Sequence, residues 1–142
     1  MKWRTIEAAR ALLQTEDGAV IQDWGGRVPI ALVFPNSYAV GMSSLAMHGL
    51  YHWLNAMPDV ACERAFASLG RREDRSEPVV TLESQRLLRE TSLIAFSIPY
   101  EMDYGNVVEV LRRSDIPALA RERTVHDPLV LMGGPAVSAN PA

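Results

Sequence analysis

The sequence is short of two residue types whose scarcity excludes several kinds of site. Its 142 residues contain one cysteine, Cys62, and one lysine, Lys2. A single cysteine can form neither an internal disulfide nor a cysteine-built metal cluster within this chain. A P-loop requires a Gly-Lys-Ser/Thr sequence, which the only lysine does not provide. We therefore look for a site that needs neither a thiolate cluster nor a phosphate-binding lysine.

The chain also lacks a basic surface and a long apolar run. Its net charge is −3, which gives no indication of nucleic acid or of an anionic membrane as a partner. No apolar stretch approaches the roughly 20 residues that span a bilayer, and the first residues do not resemble a signal peptide. We expect a cytoplasmic protein with no nucleic-acid or membrane partner.

Apolar runs alternate with helical patterns along the chain, and this alternation predicts an α/β fold. Runs that are apolar throughout are typical of parallel strands buried on both faces. The fold class we expect is a doubly wound parallel sheet of the Rossmann-like kind seen in flavodoxin-like and cobalamin-binding domains. The predicted strands are 18–22, 30–34, 60–66, 93–98 and 128–132, and the predicted helices are 5–14, 43–56, 82–90 and 104–113.

The pattern divides the chain into two parts. Residues 1–28 are predicted to form an N-terminal helix and a short hairpin extension, and residues 29–142 the α/β domain. Apolar strand content continues almost to the last residue, and no closing helix is predicted after it. We therefore expect an α/β domain truncated at its C-terminal end, the front part of a longer polypeptide.

Three turns are expected to meet at one edge of this sheet, because the carboxyl ends of parallel strands lie together. They are Asn36–Gly41, Ser97–Asp103 and Gly133–Ala136. Each combines small residues with hydroxyl or amide groups, so a ligand could approach the backbone closely. The turns predict a binding platform.

The residues of these turns suit some nucleotide-binding sites better than others. A dinucleotide site needs G-x-G-x-x-G, and the first turn has only Gly41. Flavin mononucleotide fits better, since Ser37, Ser43 and Ser44 could hold a phosphate at a helix N-terminus. A flavin or nucleotide module therefore stays open as an alternative, as does a structural docking domain without a ligand.

The three turns resemble a degenerate form of the cobalamin-binding signature, which reads D-x-H-x-x-G, then S-x-L, then G-G. Residues 36–41 stand at the first element, residues 97–99 at the second, and Gly133-Gly134 at the third. The residues around these elements are similar to the amino-terminal region of cobalamin-binding-type radical S-adenosylmethionine (SAM) proteins. They run from Leu32 to Ser43, from Phe96 to Tyr104 and from Leu131 to Val137. This resemblance covers residues 15–142.

The resemblance implies a module that positions cobalamin, or a vestigial platform, over a catalytic barrel. Tyr38 replaces the histidine that ligates cobalt, and Asn36 replaces the aspartate that orients it. Cobalamin would then bind without a histidine ligand, because a phenol with a pKa near ~10 ligates cobalt poorly. The residues carried over as cofactor-binding are Asn36, Ser37, Tyr38, Gly41, Ser97, Pro99, Tyr100, Gly133 and Gly134.

The resemblance also implies a [4Fe-4S] cluster and S-adenosylmethionine, both in a following radical SAM barrel that would be the partner of this module. The cluster motif C-x-x-x-C-x-x-C is absent here, so we expect no catalytic residue in this chain, and the parent could be a methyltransferase. No metal site is expected either. His48 and His52 have the spacing of a zinc pair, but they lie opposite the apolar stripe and lack a third ligand.

Overall fold

A computed structural model describes residues 2–70 and 76–141. The helices are α1 (Lys2–Gln14), α2 (Tyr38–Gly41), α3 (Leu45–Asn55), α4 (Tyr104–Arg113) and α5 (Pro135–Ala139). The strands are β1 (Val28–Ser37), β2 (Val60–Ser68), β3 (Leu93–Ser97) and β4 (Leu129–Gly133). Short 3-10 turns lie at Leu88–Glu90, Glu101–Asp103 and Ala120–Glu122. Among the described residues, no helix has both the length and the apolarity needed to cross a bilayer.

The four strands form one parallel sheet in the order β2-β1-β3-β4. This order is flavodoxin-like, and it confirms the predicted doubly wound α/β fold. The helix α3, which follows β1, packs on one face of the sheet, and α4, which follows β3, packs on the other. In sheets of this kind ligands bind outside the carboxyl ends of the strands.

Alternation along β1 builds a hydrophobic core on each face. Leu32 and Phe34 pack with Met47 and Tyr51 of α3. Ala31 belongs, with Val33, to the opposite core, which contains Val107, Val110 and Leu111 of α4. Because β1 is central and buried on both sides, its continuous apolar run is what the sheet requires.

The predicted strand over residues 18–22, and with it the hairpin extension, is wrong. The described segment contains no strand there, because its polar groups bond to α3 instead of to a neighbouring strand. The Val20 amide donates to the Tyr51 hydroxyl at 2.8 Å, and Gln22 Nε2 donates to Asn55 Oδ1 at 2.9 Å. Ala9 of α1 is fully buried in the same core as Leu32, so this segment packs directly on the sheet. The domain boundary at residue 28 stays a prediction.

Three helix predictions are corrected. The helix predicted over residues 82–90 shrinks to the 3-10 turn at Leu88–Glu90, because Gln85 adopts a φ of 55°, outside the helical region. The helix predicted over residues 43–56 begins at Leu45, after its N-cap Ser44, and a separate short helix, α2, precedes it and ends at Gly41. The chain also has a short helix, α5, after the last strand.

The two outer strands differ in how they are covered. The segment beside β2 bonds to it, with the Leu82 amide donating to the Arg64 carbonyl at 2.7 Å and the Arg64 amide to Glu83 Oε2 at 2.8 Å. In the described part of the chain, β4 pairs only with β3. Its Leu129 and Leu131 are 66% and 52% exposed. One side of the sheet is closed and the other is open.

Candidate functional site

A cleft of about 590 Å³ opens between α3 and the carboxyl ends of β3 and β4. Its floor and walls are mainly apolar. The described residues that line it are Leu32, Ser44, Ala46, Leu50, Ala95, Phe96, Ser97, Pro99, Leu131, Met132, Gly133, Gly134 and Pro135. Such an apolar cleft with a few polar groups has the size and character of a small-molecule site.

Four of the nine predicted site residues line this cleft, namely Ser97, Pro99, Gly133 and Gly134. Sheet register brings them together, because Ser97 pairs with Gly133 at the ends of β3 and β4. The Ile98 amide donates to the Gly133 carbonyl at 2.8 Å. The second and third predicted turns therefore form one continuous wall.

The two glycines of this wall have different roles. Gly134 has a φ of 120°, and a Cβ there would lie 2.5 Å from the Ile98 carbonyl oxygen. Its lack of a side chain allows the turn itself to form. A Cβ on Gly133 would meet nothing within 4 Å. Gly133 therefore leaves open space at the cleft wall, and it is the glycine that a ligand could use.

The first loop, residues Asn36–Gly41, does not line the cleft, and its polar groups are used within the protein. Ser37 Oγ accepts from the Val40 amide at 3.3 Å and so caps α2. Asn36 Oδ1 accepts from the Ser37 amide at 2.8 Å, and its Nδ2 donates to Asp103 Oδ1 at 3.3 Å. The Asn36–Asp103 bond joins the loops that follow β1 and β3, so these two turns do meet at the same edge.

Gly41 is buried against the core. A Cβ there would lie 2.4 Å from Phe66 Cε1 and 3.1 Å from Phe34 Cγ. The absence of a side chain is therefore required for packing of the first loop on the sheet. A ligand contact of Gly41 stays a prediction.

Tyr38 points toward the N-terminal segment. Its hydroxyl donates to Glu16 Oε1 at 2.6 Å, and its ring packs edge-on against Phe66 with centroids 5.2 Å apart. Burial, followed by the bond to Glu16, raises the pKa of Tyr38 to about 12. The phenol is therefore protonated at neutral pH and is not available as a phenolate ligand.

A second cavity, of about 450 Å³, is called here the Arg64 cavity. The described residues that line it are Glu16, Asp17, Gly18, Ala19, Met42, His48, Tyr51, His52 and Arg64. The Arg64 side chain is 4% exposed and forms ion pairs with Glu83 at 2.7 Å and with Glu16 at 2.6 Å. Its guanidinium also stacks over the Tyr51 ring at 4.4 Å. Burial raises the pKa of Glu83 even though Arg64 opposes that shift. Sequence reasoning missed this cluster, although the charged pair Glu63-Arg64 inside a strand-like run was a visible signal.

The two histidines that have zinc-like spacing line the Arg64 cavity and not the cleft. His48 Nε2 lies 2.7 Å from the Met42 carbonyl oxygen. Within residues 2–70 and 76–141, no group of three or more histidine, cysteine or acidic residues is arranged to hold a metal ion.

The remaining predicted residue, Tyr100, is 67% exposed on the turn after β3. Met102, two residues later, is 91% exposed, so this turn presents apolar surface beside the cleft. Asp103, on the same turn, is buried and bonds through Oδ1 to Asn36 and Asn106, while its Oδ2 has no partner among the described residues.

The serines expected to hold a flavin phosphate are bonded to the backbone. Ser43 Oγ donates to the Ala39 carbonyl at 3.0 Å, and Ser44 Oγ accepts from the Met47 amide at 3.4 Å. Ser37 Oγ likewise accepts from a backbone amide, so Ser37 and Ser44 serve as acceptors and Ser43 as a donor. Of the three, only Ser44 is among the described residues that line the cleft, and the flavin alternative stays a prediction.

Fold and cleft together define a doubly wound α/β domain with a ligand-sized cleft at the carboxyl edge of its sheet. A family model described as "Radical SAM proteins, N-terminal" matches residues 46–142, more than half of the chain. The chain therefore belongs to this family. The match includes the cleft turns at Ser97 and Gly133 but not the first loop. No curated protein and no solved structure matched the chain.

Proposed function

We propose that this chain is the module of a radical SAM protein that binds the nucleotide end of cobalamin in the cleft, without a protein ligand to cobalt. Family membership supports the radical SAM part of this proposal. The observation that carries the cobalamin part is the wall formed by Ser97, Gly133 and Gly134, which stand in the order of the cobalamin signature and line one cleft.

The cleft suits the chemistry of that group. Leu32, Leu50 and Leu131 give it apolar walls for a flat base, and Ser97 and Ser44 add hydroxyls. The space beside Gly133 is free of other atoms to 4 Å, which allows a ligand to approach the backbone. A volume of about 590 Å³ lies in the ordinary range for small-molecule sites.

The surroundings of the first loop support binding without a cobalt ligand from the protein. Tyr38 is turned to Glu16 and protonated, and no histidine is among the described residues that line the cleft. The protein residues therefore bind and orient the cofactor without coordinating its metal. Cobalamin, when bound, supplies methyl-transfer chemistry, and we propose methyl transfer as the reaction class of the parent protein.

The radical part of the chemistry belongs elsewhere in the parent. Membership in the family implies a [4Fe-4S] cluster and S-adenosylmethionine in its catalytic part, which we propose is the partner of this module. The single cysteine here is unsuited to cluster binding, since burial raises the pKa of Cys62 to about 12 and keeps it a thiol.

The experiment is a titration of the purified chain with hydroxocobalamin, followed by visible absorption and equilibrium dialysis. We expect binding without the spectral features of histidine ligation. Gly133→Leu should weaken binding at least about tenfold, because its side chain would fill the free space of the cleft. Gly49→Leu is the matched control, since Gly49 also has no atoms near its Cβ position but lies outside the cleft lining.

Absence of binding at about 100 μM cobalamin would overturn the proposal. Binding of flavin mononucleotide instead, with its yellow absorption, would support the nucleotide module. Binding of neither would favour a docking platform, for which the exposed Leu129 and Leu131 of β4 are the specific observation. Thermal unfolding of each variant shows that a loss of binding is not a loss of fold.

A further inference from the structure

Glu16 joins the N-terminal segment to the first loop by two short charged contacts. Its Oε1 accepts from the Tyr38 hydroxyl at 2.6 Å, and its Oε2 pairs with Arg64 Nη2 at 2.6 Å. The Glu16 side chain is only 9% exposed, so these contacts are shielded from water. Hydrogen bonds to a charged group stabilise a structure more than neutral ones do.

The partners of Glu16 are themselves held in place. Arg64 bonds through Nε to Glu83, whose side chain is fully buried, and stacks on the Tyr51 ring. Tyr51 in turn accepts a hydrogen bond from the Val20 amide. The segment from Glu16 to Val20 is thus tied to the domain at both ends by a tyrosine.

Tyr38 carries this restraint into the first loop. It is the first residue of α2, and its ring packs on Phe66, the same side chain against which Gly41 closes. Both ends of α2 therefore pack on the Phe66 ring. Glu16 holds the Tyr38 end of α2 in place through the Tyr38 hydroxyl.

We propose that Glu16 is a positioning residue for the first loop: it keeps Tyr38 turned toward the Arg64 cavity and so fixes this loop, which Asn36 bonds to the turn after β3, beside the cleft where a ligand would bind. The part concerning the ligand rests on the proposed function, whereas the coupling of Glu16 to the loop does not. Glu16 lies outside the family match, so this restraint is a feature of the N-terminal segment.

The test is amide hydrogen exchange, resolved by residue, on the whole chain. Glu16→Ala should speed exchange in residues 38–42 about ten- to hundredfold, with α4 unchanged. Glu16→Gln keeps an acceptor for the Tyr38 hydroxyl and should restore part of the protection. Asp17→Asn is the matched control, because Asp17 lines the same cavity and no resolved contact ties it to the loop.

A double-mutant cycle separates positioning from general stabilisation. In a Tyr38→Phe background, Glu16→Ala should add less than about a twofold further change in loop exchange. Exchange that is unchanged in Glu16→Ala, or that rises equally throughout the chain, would overturn the positioning role.

Cobalamin affinity gives the second readout. If the wild-type chain binds cobalamin and Glu16→Ala binds it about tenfold more weakly, the inference is supported in full. Equal affinities would overturn the role in ligand binding. Failure of the wild-type chain to bind would overturn the proposed function, while the exchange result would still decide the coupling of Glu16 to the loop.

Discussion

The β2 side and the β4 side of the sheet contain similar strands and are finished in opposite ways. On the β2 side, Arg64 and Glu83 are buried as a pair, and the neighbouring segment bonds to the outer edge of the strand. On the β4 side, Leu129 and Leu131 are more than half exposed and the cleft opens above them. The closed side has its polar groups satisfied, and the open side has apolar surface that is not covered by the described residues.

This difference predicts a separation between substitutions that affect stability and substitutions that affect ligand binding at the candidate cleft. Buried charges and packed rings near β2 make that side costly to change, because each group depends on its neighbours. The cleft near β4 has fewer mutual dependencies, so substitutions there should act on ligand binding more than on folding. Three pairs of substitutions test this separation.

The largest effect is expected from Arg64→Met. It would leave Glu83 and Glu16 without their cation, and loss of one partner of a buried pair costs about 3–5 kcal/mol of unfolding free energy. Urea unfolding at pH 7 measures the loss. The control is Arg89→Met, which breaks an exposed pair with Asp115 and should cost less than about 1 kcal/mol.

The loss of stability in Arg64→Met should depend on pH in a defined direction. Burial raises the pKa of Glu83, so the folded state binds its proton more tightly than the unfolded state and loses stability as pH rises through the folded pKa. Removing the positive charge of Arg64 raises that pKa further. The loss of unfolding free energy in Arg64→Met should therefore become smaller as pH falls, whereas a loss independent of pH would show that the charge of Glu83 is not its cause.

The second pair compares two leucines that line the same cleft. Leu32 is 1% exposed in β1, and its replacement by alanine should cost about 2–5 kcal/mol. Leu131 is 52% exposed in β4, and Leu131→Ala should cost less than about 1 kcal/mol because no closed cavity forms. Equal losses in thermal unfolding would mean that the β4 side is as tightly packed as the centre.

The third and smallest effects are expected at two glycines. Gly41→Ala places a methyl 2.4 Å from the Phe66 ring and should cost about 1–3 kcal/mol through overpacking. Gly133→Ala meets nothing within 4 Å and should change the unfolding free energy by no more than about 0.5 kcal/mol. Chemical denaturation of both variants decides whether the first loop is the more tightly packed of the two.

The fold was predictable because its signals are local. The apolar runs at 30–34, 93–98 and 128–132 are long, uninterrupted and bounded by turns, so strand type and parallel pairing followed from them. The hairpin at residues 18–22 was wrong because a short apolar stretch does not specify its hydrogen-bond partners, and here Tyr51 and Asn55 of a distant helix supply them.

The candidate site was predictable only in part. Ser97, Pro99, Gly133 and Gly134 could be grouped in advance because register places the ends of neighbouring parallel strands together. The direction of Tyr38 could not be predicted because it depends on Glu16, and the room at Gly41 could not because it depends on Phe66, so a ligand contact of the first loop stays a prediction. Neither partner is close in sequence.

Sequence alone determined the four strands of the parallel sheet, the long helices that follow β1 and β3, and the edge at which the turns converge, since periodicity and burial act along neighbouring residues. Only the tertiary structure decided which turns line the cleft and which pack against other parts of the domain. Long-range contacts determine this arrangement. They join Glu16 to Tyr38 and Arg64, and Phe66 to Gly41. They depend on how helices and loops pack across the sheet, which no local pattern specifies.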